Sequence, residues 1–118
     1  MSRQVKFYKT ESGDCPVEDF LDILPGKVAQ KIAWVLSIIE ELDIVPAQYL
    51  KKVNSNYDIY ECRVNYGGNT YRLLGFFYSG KFMVLTNGFM KRTQKMPEGE
   101  IKLAISRKKD LLSRGGKL

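Results

Sequence analysis

The chain has 118 residues, with 19 Lys and Arg against 13 Asp and Glu and no histidine, which gives a formal charge of +6. This length suits one domain, which we predict to span residues 1–118, and the 44% hydrophobic and 27% charged residues are typical of a globular protein. The missing histidine excludes Ser-His and Cys-His nucleophile pairs, and no apolar run approaches the roughly 18 residues of a membrane span.

The N-terminal half is predicted to be mainly helical. Alternation from Val5 to Tyr8 indicates a short first strand, and Pro16 is typical of the first turn of a helix that runs to about Leu24. The longest helical pattern is 27–42, where apolar residues recur on one broad face. Residues 44–56 follow no clear period, so we expect them to be irregular.

The C-terminal half is predicted to contain three antiparallel strands and a helix. Strand patterns cover 57–66, 70–78 and 81–86, and glycine-containing turns separate them. Asn87-Gly88 indicates either a bulge or the end of the third strand. Pro97 begins the last helix and Gly115-Gly116 ends it. The order predicts an α+β fold, with two N-terminal helices on one side of a small, mainly antiparallel sheet and a basic C-terminal helix.

The positive charge is concentrated at the end of the chain. Residues 1–88 contain 10 basic and 10 acidic residues, whereas 89–118 contain 9 basic and 3 acidic residues and so carry the whole excess of +6. This asymmetry suggests a polyanionic partner, with nucleic acid favoured over a membrane; a merely solubilising tail is the alternative. Cys15 and Cys62 lack the spacing of a disulfide scaffold or metal site, so we expect a protein of the reducing cytoplasm.

Cations and aromatic rings gather near one end of the predicted sheet. Arg63 and Arg72 flank the Gly67-Gly68 turn and should lie opposite or diagonal in the hairpin. The other members are three cations (Lys91, Arg92 and Lys95) and four tyrosines (Tyr60, Tyr66, Tyr71 and Tyr78). Arginines bind phosphate oxygens and aromatic rings stack on unpaired bases, so this set favours RNA or another single strand. The alternative is a row of solvated charges, with a simple ion pair between Glu61 and Arg63.

Three segments carry a resemblance to a known family. They are Tyr-Glu-Cys-Arg-Val at 60–64, Gly-Gly-Asn-Thr-Tyr-Arg-Leu at 67–73, and Asn-Gly-Phe-Met-Lys-Arg-Thr-Gln-Lys-Met-Pro at 87–97. With Glu100 and Ala104 in the following helix, they resemble the HigB-type, phage-associated branch of the RelE toxin superfamily. The match covers 57 to about 114 strongly, and the N-terminal half only in general pattern. Cys62 replaces a usual leucine, and Asn87 replaces a common histidine.

The resemblance implies a RelE-like fold and the toxin of a type II toxin–antitoxin pair. Such toxins enter the ribosomal A site and cut mRNA without metal or cofactor: the ribose 2′-oxygen attacks the adjacent phosphate, which leaves a cyclic phosphate and a 5′-hydroxyl. The partners implied are mRNA, ribosomal RNA and a helix-turn-helix antitoxin encoded beside the toxin.

The chemistry needs a base, an acid and charge stabilisation of the phosphate. Without histidine, the base is either a lysine whose pKa is lowered by neighbouring cations or a carboxylate such as Glu61. Spacing and resemblance together assign proton transfer to Lys91, and phosphate binding to Arg63 and Arg72. The RNA-binding residues predicted in the same way are Arg92 and Lys95 for the flanking backbone, Lys102 and Lys109 for ribosomal RNA, and Tyr66 or Tyr71 for stacking on a base.

Two other functions remain open from the sequence. One is a catalytically silent RNA- or DNA-binding or phage docking module of the same fold, for which the asparagine at position 87 leaves room. The other is a subunit that mainly binds its antitoxin to repress their operon. Salt-sensitive RNA binding without cleavage would favour the first of these, whereas a neighbouring gene for a helix-turn-helix protein would favour a toxin.

Overall fold

The computed structural model describes residues 3–91 and 95–118. Its elements in chain order are β1 (Gln4–Phe7), α1 (Pro16–Asp22), α2 (Gly26–Glu41), β2 (Leu50–Asn54), β3 (Ile59–Tyr66), β4 (Asn69–Tyr78), β5 (Phe82–Lys91) and α3 (Glu98–Ser113). Three helices and a mainly antiparallel sheet confirm the predicted α+β class, and the architecture is consistent with a RelE-like fold.

The five strands form one sheet in the order β1-β5-β4-β3-β2. The strands β3, β4 and β5 are the antiparallel meander that the sequence predicts. The first strand lies beside the last one and runs parallel to it, with Gln4 opposite Phe82. The N-terminal strand therefore completes one edge of the sheet, and β2 forms the other.

The prediction that residues 44–56 are irregular is wrong for 50–54. These residues form β2, which pairs antiparallel with β3 and places Leu50 opposite Cys62. The strand is short and carries exposed Lys51 and Lys52. Charged residues of this kind are common on edge strands, where they discourage pairing with another chain. They also weaken the apolar alternation by which a strand is recognised in a sequence.

Asn87-Gly88 marks a bulge and not the end of a strand. The strand β5 continues to Lys91, and its register with β4 shifts so that Leu74 lies opposite Asn87 while Gly75 lies opposite Leu85. The extra residue on β5 is therefore Thr86. A bulge bends the strand locally, and here it lies next to the cation-rich end of the sheet.

A hydrophobic cluster lies on each face of the sheet. On one face, buried residues of α1 and α2 such as Val17, Ile32 and Ile39 pack against Cys62 and Leu73. On the other face, Ala104 and Leu111 of α3 pack against the sheet. The buried residues that they meet are Leu74 and Phe76 of β4 and Val84 of β5. Each fully buried large side chain stabilises the fold by about 1.5–3 kcal/mol. Among the described residues, no helix has the length and apolar character to cross a membrane.

The end of α3 is tied to the segment that directly follows the first strand. The buried Tyr8 hydroxyl donates a hydrogen bond of 2.5 Å to the carboxylate of Asp110. Arg114 donates to the same Asp110 oxygen at 2.7 Å and to the backbone oxygen of Lys9 at 2.8 Å. These two donors, with the Tyr8 hydrogen bond as the larger cause, lower the pKa of Asp110. The carboxylate therefore stays ionised and holds α3 against the N-terminal segment.

Candidate functional site

The candidate site lies on the α3 face of the sheet, near the turn between β3 and β4. Arg63 and Arg72 are directly opposite each other, and Phe89 is opposite Arg72 on the next strand. Opposed residues share a face, and so do residues two apart on one strand. Glu61 and Lys91 therefore lie on the same face as the two arginines. We call these four residues, Glu61, Arg63, Arg72 and Lys91, the arginine cluster.

Arg72 is buried and has donors without acceptors. Its relative exposure is 6%, and its Nε lies 3.5 Å from Glu61 Oε1. The buried Nε and Nη1 have no hydrogen-bond acceptor within the described ranges. Burial lowers the pKa of Arg72, Arg63 lowers it further and Glu61 opposes the change, but an arginine remains charged at any physiological pH. A buried cation with unpaired donors is costly, so this geometry favours an anionic ligand.

Glu61 is the counter-ion of both arginines. It is only 2% exposed, and its Oε1 accepts hydrogen bonds from Arg63 Nε at 3.2 Å and Nη2 at 3.1 Å. The expected ion pair between Glu61 and Arg63 is therefore present, but the same carboxylate oxygen also faces Arg72. One negative charge balances two positive ones, which leaves the cluster net positive before Lys91 is counted.

Lys91 carries the lowered pKa that the sequence predicts, for different reasons. Burial is the largest cause, and the positive charge of Arg72 is the next. Arg63 and Lys51 lower the pKa of Lys91 further, and Glu61 opposes them. Arg92, one of the two cations expected to crowd Lys91, lies outside the described residues. A lowered lysine pKa increases the neutral fraction that can accept a proton.

The two tyrosines predicted to stack on a base lie on the opposite face from the arginine cluster. Tyr71, predicted to stack on RNA, is 5% exposed and packs in the core beneath α1 and α2 with its strand neighbour Val64, so little of its ring is accessible to a base. Its position follows from alternation, because it directly precedes Arg72 and must point the other way. Tyr66 is exposed, but it too alternates to the face that α1 and α2 cover.

The predicted RNA-binding lysines of α3, Lys102 and Lys109, are exposed but lie outside the arginine cluster. Lys102 lines a groove of about 580 Å³ with Asn54 and Tyr57, and Lys109 Nζ lies 4.8 Å from the centre of the Tyr57 ring. Tyr57 precedes β3, whereas Arg63 is the fifth residue of that strand, so more than about 13 Å of strand separates the two places. Lys95 is exposed and precedes α3. The structure thus brings Arg63, Arg72 and Lys91 together, and leaves Lys102 and Lys109 apart from them.

Asn87 has a structural role that the sequence does not reveal. It is buried, and its Oδ1 accepts a hydrogen bond from Thr86 Oγ1 at 2.6 Å. Its Nδ2 donates to the Glu100 side chain at 3.0 Å and to the Glu100 backbone oxygen at 3.3 Å. The residue after the bulge therefore fixes the first turn of α3 beside the arginine cluster. This contact joins the strand β5 to the helix α3, and the apolar periodicity of either element carries no information about a contact between them.

We expect Asn87→Ala to lower the free energy of unfolding by about 1–3 kcal/mol, because it removes the two hydrogen bonds to Glu100, while the Thr86 hydroxyl keeps the backbone oxygen of Leu74 as an acceptor. Urea denaturation followed by circular dichroism measures the change. Asn56→Ala is the matched control, since Asn56 is exposed in the turn before β3 and should change stability by less than about 0.5 kcal/mol. Equal stabilities of the two variants would contradict the role given to Asn87.

These features define a class: an α+β protein, consistent with a RelE-like fold, that carries a largely buried, net positive side-chain cluster on its sheet. Residues 19–109 match the family model described as Phage derived protein Gp49-like (DUF891), and the chain belongs to this family. The family is phage-derived and related to RelE-type toxins. A search of curated proteins finds no match.

Proposed function

We propose that this protein is the toxin of a type II toxin–antitoxin system and that it cuts mRNA in the ribosomal A site. The observation that carries the proposal is the buried Arg72, whose Nε and Nη1 have no acceptor within the described ranges. A phosphate diester supplies anionic oxygens that match a guanidinium donor pair. The toxin-like character of the family and the net positive cluster support the same conclusion.

The proposed reaction is an intramolecular transfer at a phosphate diester. The 2′-hydroxyl loses its proton and its oxygen forms a bond to the phosphorus, while the bond from phosphorus to the 5′-oxygen breaks. The leaving oxygen takes up a proton from water, so the products are a 2′,3′-cyclic phosphate and a 5′-hydroxyl. Negative charge grows on the phosphate oxygens as the phosphorus becomes five-coordinate. Fixed cations in a partly buried site stabilise that charge.

Each residue of the arginine cluster has a proposed task in this reaction. Arg72 binds the scissile phosphate through its unpaired donors, and Arg63 stabilises the charge from the side of β3. Lys91, with its lowered pKa, transfers the proton. Glu61 is the alternative base from the sequence, but its Oε1 faces both guanidinium groups. We therefore propose Glu61 as the residue that positions the two arginines, and Lys91 as the base.

The remaining cations have proposed tasks on the ribosome. Lys102 and Lys109 are exposed on α3, outside the arginine cluster, and we propose that they contact ribosomal RNA. Arg92 and Lys95 are proposed to hold the RNA backbone that flanks the cut. A helix-turn-helix antitoxin is the proposed protein partner. Electrostatic contacts of this kind weaken as salt rises, so ribosome binding should fall with ionic strength.

The proposal is tested by inducing the wild-type protein in a bacterial host and mapping new 5′ ends in a reporter mRNA. We expect growth arrest and new ends within the translated frame. A reporter without a start codon is the control and should show no new ends, since an A-site enzyme requires translation. Cleavage of both reporters would exclude ribosome dependence, and intact RNA with soluble protein present would exclude the nuclease.

A catalytically silent RNA-binding module is the second candidate, and Asn87 favours it. The side-chain amide at this position does not ionise near neutral pH, so it cannot act as an acid or a base. It is also already hydrogen-bonded to Thr86 and Glu100. Salt-sensitive binding of RNA by the purified protein, together with intact reporter mRNA, would support this candidate.

Replacing Lys91 tests the proposed proton transfer. The neutral fraction of a lysine rises with pH, and its lowered pKa places that rise below the usual 10.5. We therefore expect single-turnover cleavage by the wild type to become faster as pH increases. Lys91→Arg keeps the charge but cannot release the proton, so it should slow cleavage by about 10²-fold and remove this pH dependence. Lys81→Arg, in the exposed turn before β5, is the control; a wild-type pH profile in Lys91→Arg would exclude Lys91 as the base.

A further inference from the structure

A second cleft adjoins the arginine cluster at the open edge of β3. The strand β3 extends beyond the start of β2: Leu50 is opposite Cys62, and the Arg63 amide donates to the backbone oxygen of Tyr49. From Val64 onward, β3 is paired only on its β4 side among the residues that the structure describes. A cleft of about 260 Å³ lies there, between this edge, α2 and the segment 46–49.

The cleft has the chemistry of a nucleotide site. Its described lining residues include Lys31 and Gln48, on the α2 side, and Arg63 and Asn65, whose side chains alternate towards the arginine-cluster face, but no carboxylate. Cations attract a phosphate, while a side-chain amide can both donate to and accept from the edge of a base. The Asn65 Oδ1 accepts a hydrogen bond from Thr70 at 3.0 Å, which leaves its Nδ2 as a donor. A membrane or an apolar peptide would require a different lining.

Aromatic side chains border the same cleft and position its lysine. Tyr49 lines the cleft, and its ring meets that of Trp34 edge to face at 5.9 Å. Trp34 is 49% exposed, and Lys31 Nζ lies 4.8 Å from the centre of its ring. This cation–π contact restricts the lysine, so less side-chain entropy is lost when it binds a phosphate. An exposed indole beside a cation is also a surface on which a base can stack.

The cleft and the arginine cluster share Arg63. Its guanidinium hydrogen-bonds to Glu61 in the cluster, and the same residue lines the cleft. The cleft lies on the α2 side of the sheet and the cluster on the α3 side, so a ligand that occupies both must cross the edge of β3 past Arg63, as a continuous RNA strand can. The volume is many times the roughly 30 Å³ of one water and accommodates a single planar base.

We propose that this cleft binds the nucleotide next to the cleaved bond, with Lys31 against its phosphate and Gln48 in contact with its base. The inference rests on the proposed function, because the phosphate bound at Arg72 defines which nucleotide is next to the cut; that the cleft binds a nucleotide at all is tested separately. Gln48 then becomes a specificity-determining residue, and the base preference next to the cut depends on it.

The first test measures binding of a short single-stranded RNA to the purified protein by fluorescence anisotropy. Lys31→Ala should weaken binding about tenfold, which is what one lost phosphate contact of about 1.4 kcal/mol gives. Lys27→Ala is the matched control: Lys27 is exposed one turn earlier on α2 and does not line the cleft, so binding should change by less than about twofold. Equal effects of the two variants would overturn the proposal, since only the net charge would then matter.

The second test maps cut sites in a translated reporter. Gln48→Ala should change the distribution of bases next to the cut, and Gln30→Ala, on the exposed surface of α2, should leave it as in the wild type. An unchanged distribution with Gln48→Ala would overturn the specificity role. If the wild type does not cut at all, the proposed function fails, and the difference between Lys31→Ala and Lys27→Ala in RNA binding still decides whether the cleft is a nucleotide site.

Discussion

Replacing Arg72 with alanine is expected to lower mRNA cleavage by at least about 10²-fold while the protein stays folded. The loss follows from removing the donors that we propose bind the scissile phosphate, and single donors of this kind contribute about 10²–10³ to the rate. The fold should survive because Glu61 keeps Arg63 as its counter-ion, and because the change also removes a buried cation with unpaired donors.

Growth on induction and single-turnover cleavage measure the Arg72 effect, with urea denaturation to confirm that the variant is folded. Arg72→Lys retains the charge but loses the planar pair of donors, so its activity should lie between those of wild type and Arg72→Ala. Lys81→Ala removes an exposed cation from the turn before β5 and should cleave as the wild type does. Undiminished cleavage by a folded Arg72→Ala protein would remove Arg72 from the site.

Gly75→Ala is expected to destabilise the protein by about 3 kcal/mol or more. Gly75 lies in β4 opposite the bulge, and a Cβ at this position would be 2.2 Å from the backbone oxygen of Val84 and 3.1 Å from the Leu85 Cα. Backbone atoms of a paired central strand cannot move aside without breaking their hydrogen bonds. The methyl group therefore forces β4 and β5 apart in the middle of the sheet.

Gly99→Ala is the control for the Gly75 prediction and should raise the free energy of unfolding, whereas Gly75→Ala should lower it. Gly99 lies in the first turn of α3, and a Cβ there meets no atom within 4 Å in the described structure. The substitution should stabilise the protein by about 0.5–1 kcal/mol, because alanine loses less chain entropy than glycine in a helix. Urea denaturation of both variants measures the difference, and equal midpoints would show that the sheet accommodates the added methyl group.

The parts of the fold that are regular within a short window were predictable. The meander of β3, β4 and β5 and the helices α2 and α3 follow from alternation, helical spacing and the glycine turns. The strand β2 was missed because its pairing with β3, and not its own apolar pattern, makes it a strand. The parallel pairing of β1 with β5 joins the two ends of the chain, and a local pattern carries no information about it.

Part of the candidate site was likewise predictable from local sequence patterns, and part of it required the structure. Counting across the Gly67-Gly68 turn predicts that Arg63 and Arg72 are neighbours, and the register places them directly opposite each other. The counter-ion role of Glu61 toward both arginines depends on side-chain geometry, so it required the structure. The position of Tyr71 was predictable, since alternation alone places it on the face opposite Arg72.

The long-range contacts of the N-terminal segment determine when the sheet is completed during folding. The parallel pairing of β1 with β5 and the Tyr8–Asp110 hydrogen bond, across 102 residues, both require a long loop to close. Contacts of this separation form late in folding. The sheet that carries Arg72 and Lys91 therefore gains its β1 edge, and α3 its contact with Tyr8, only after the local meander of β3, β4 and β5 has formed.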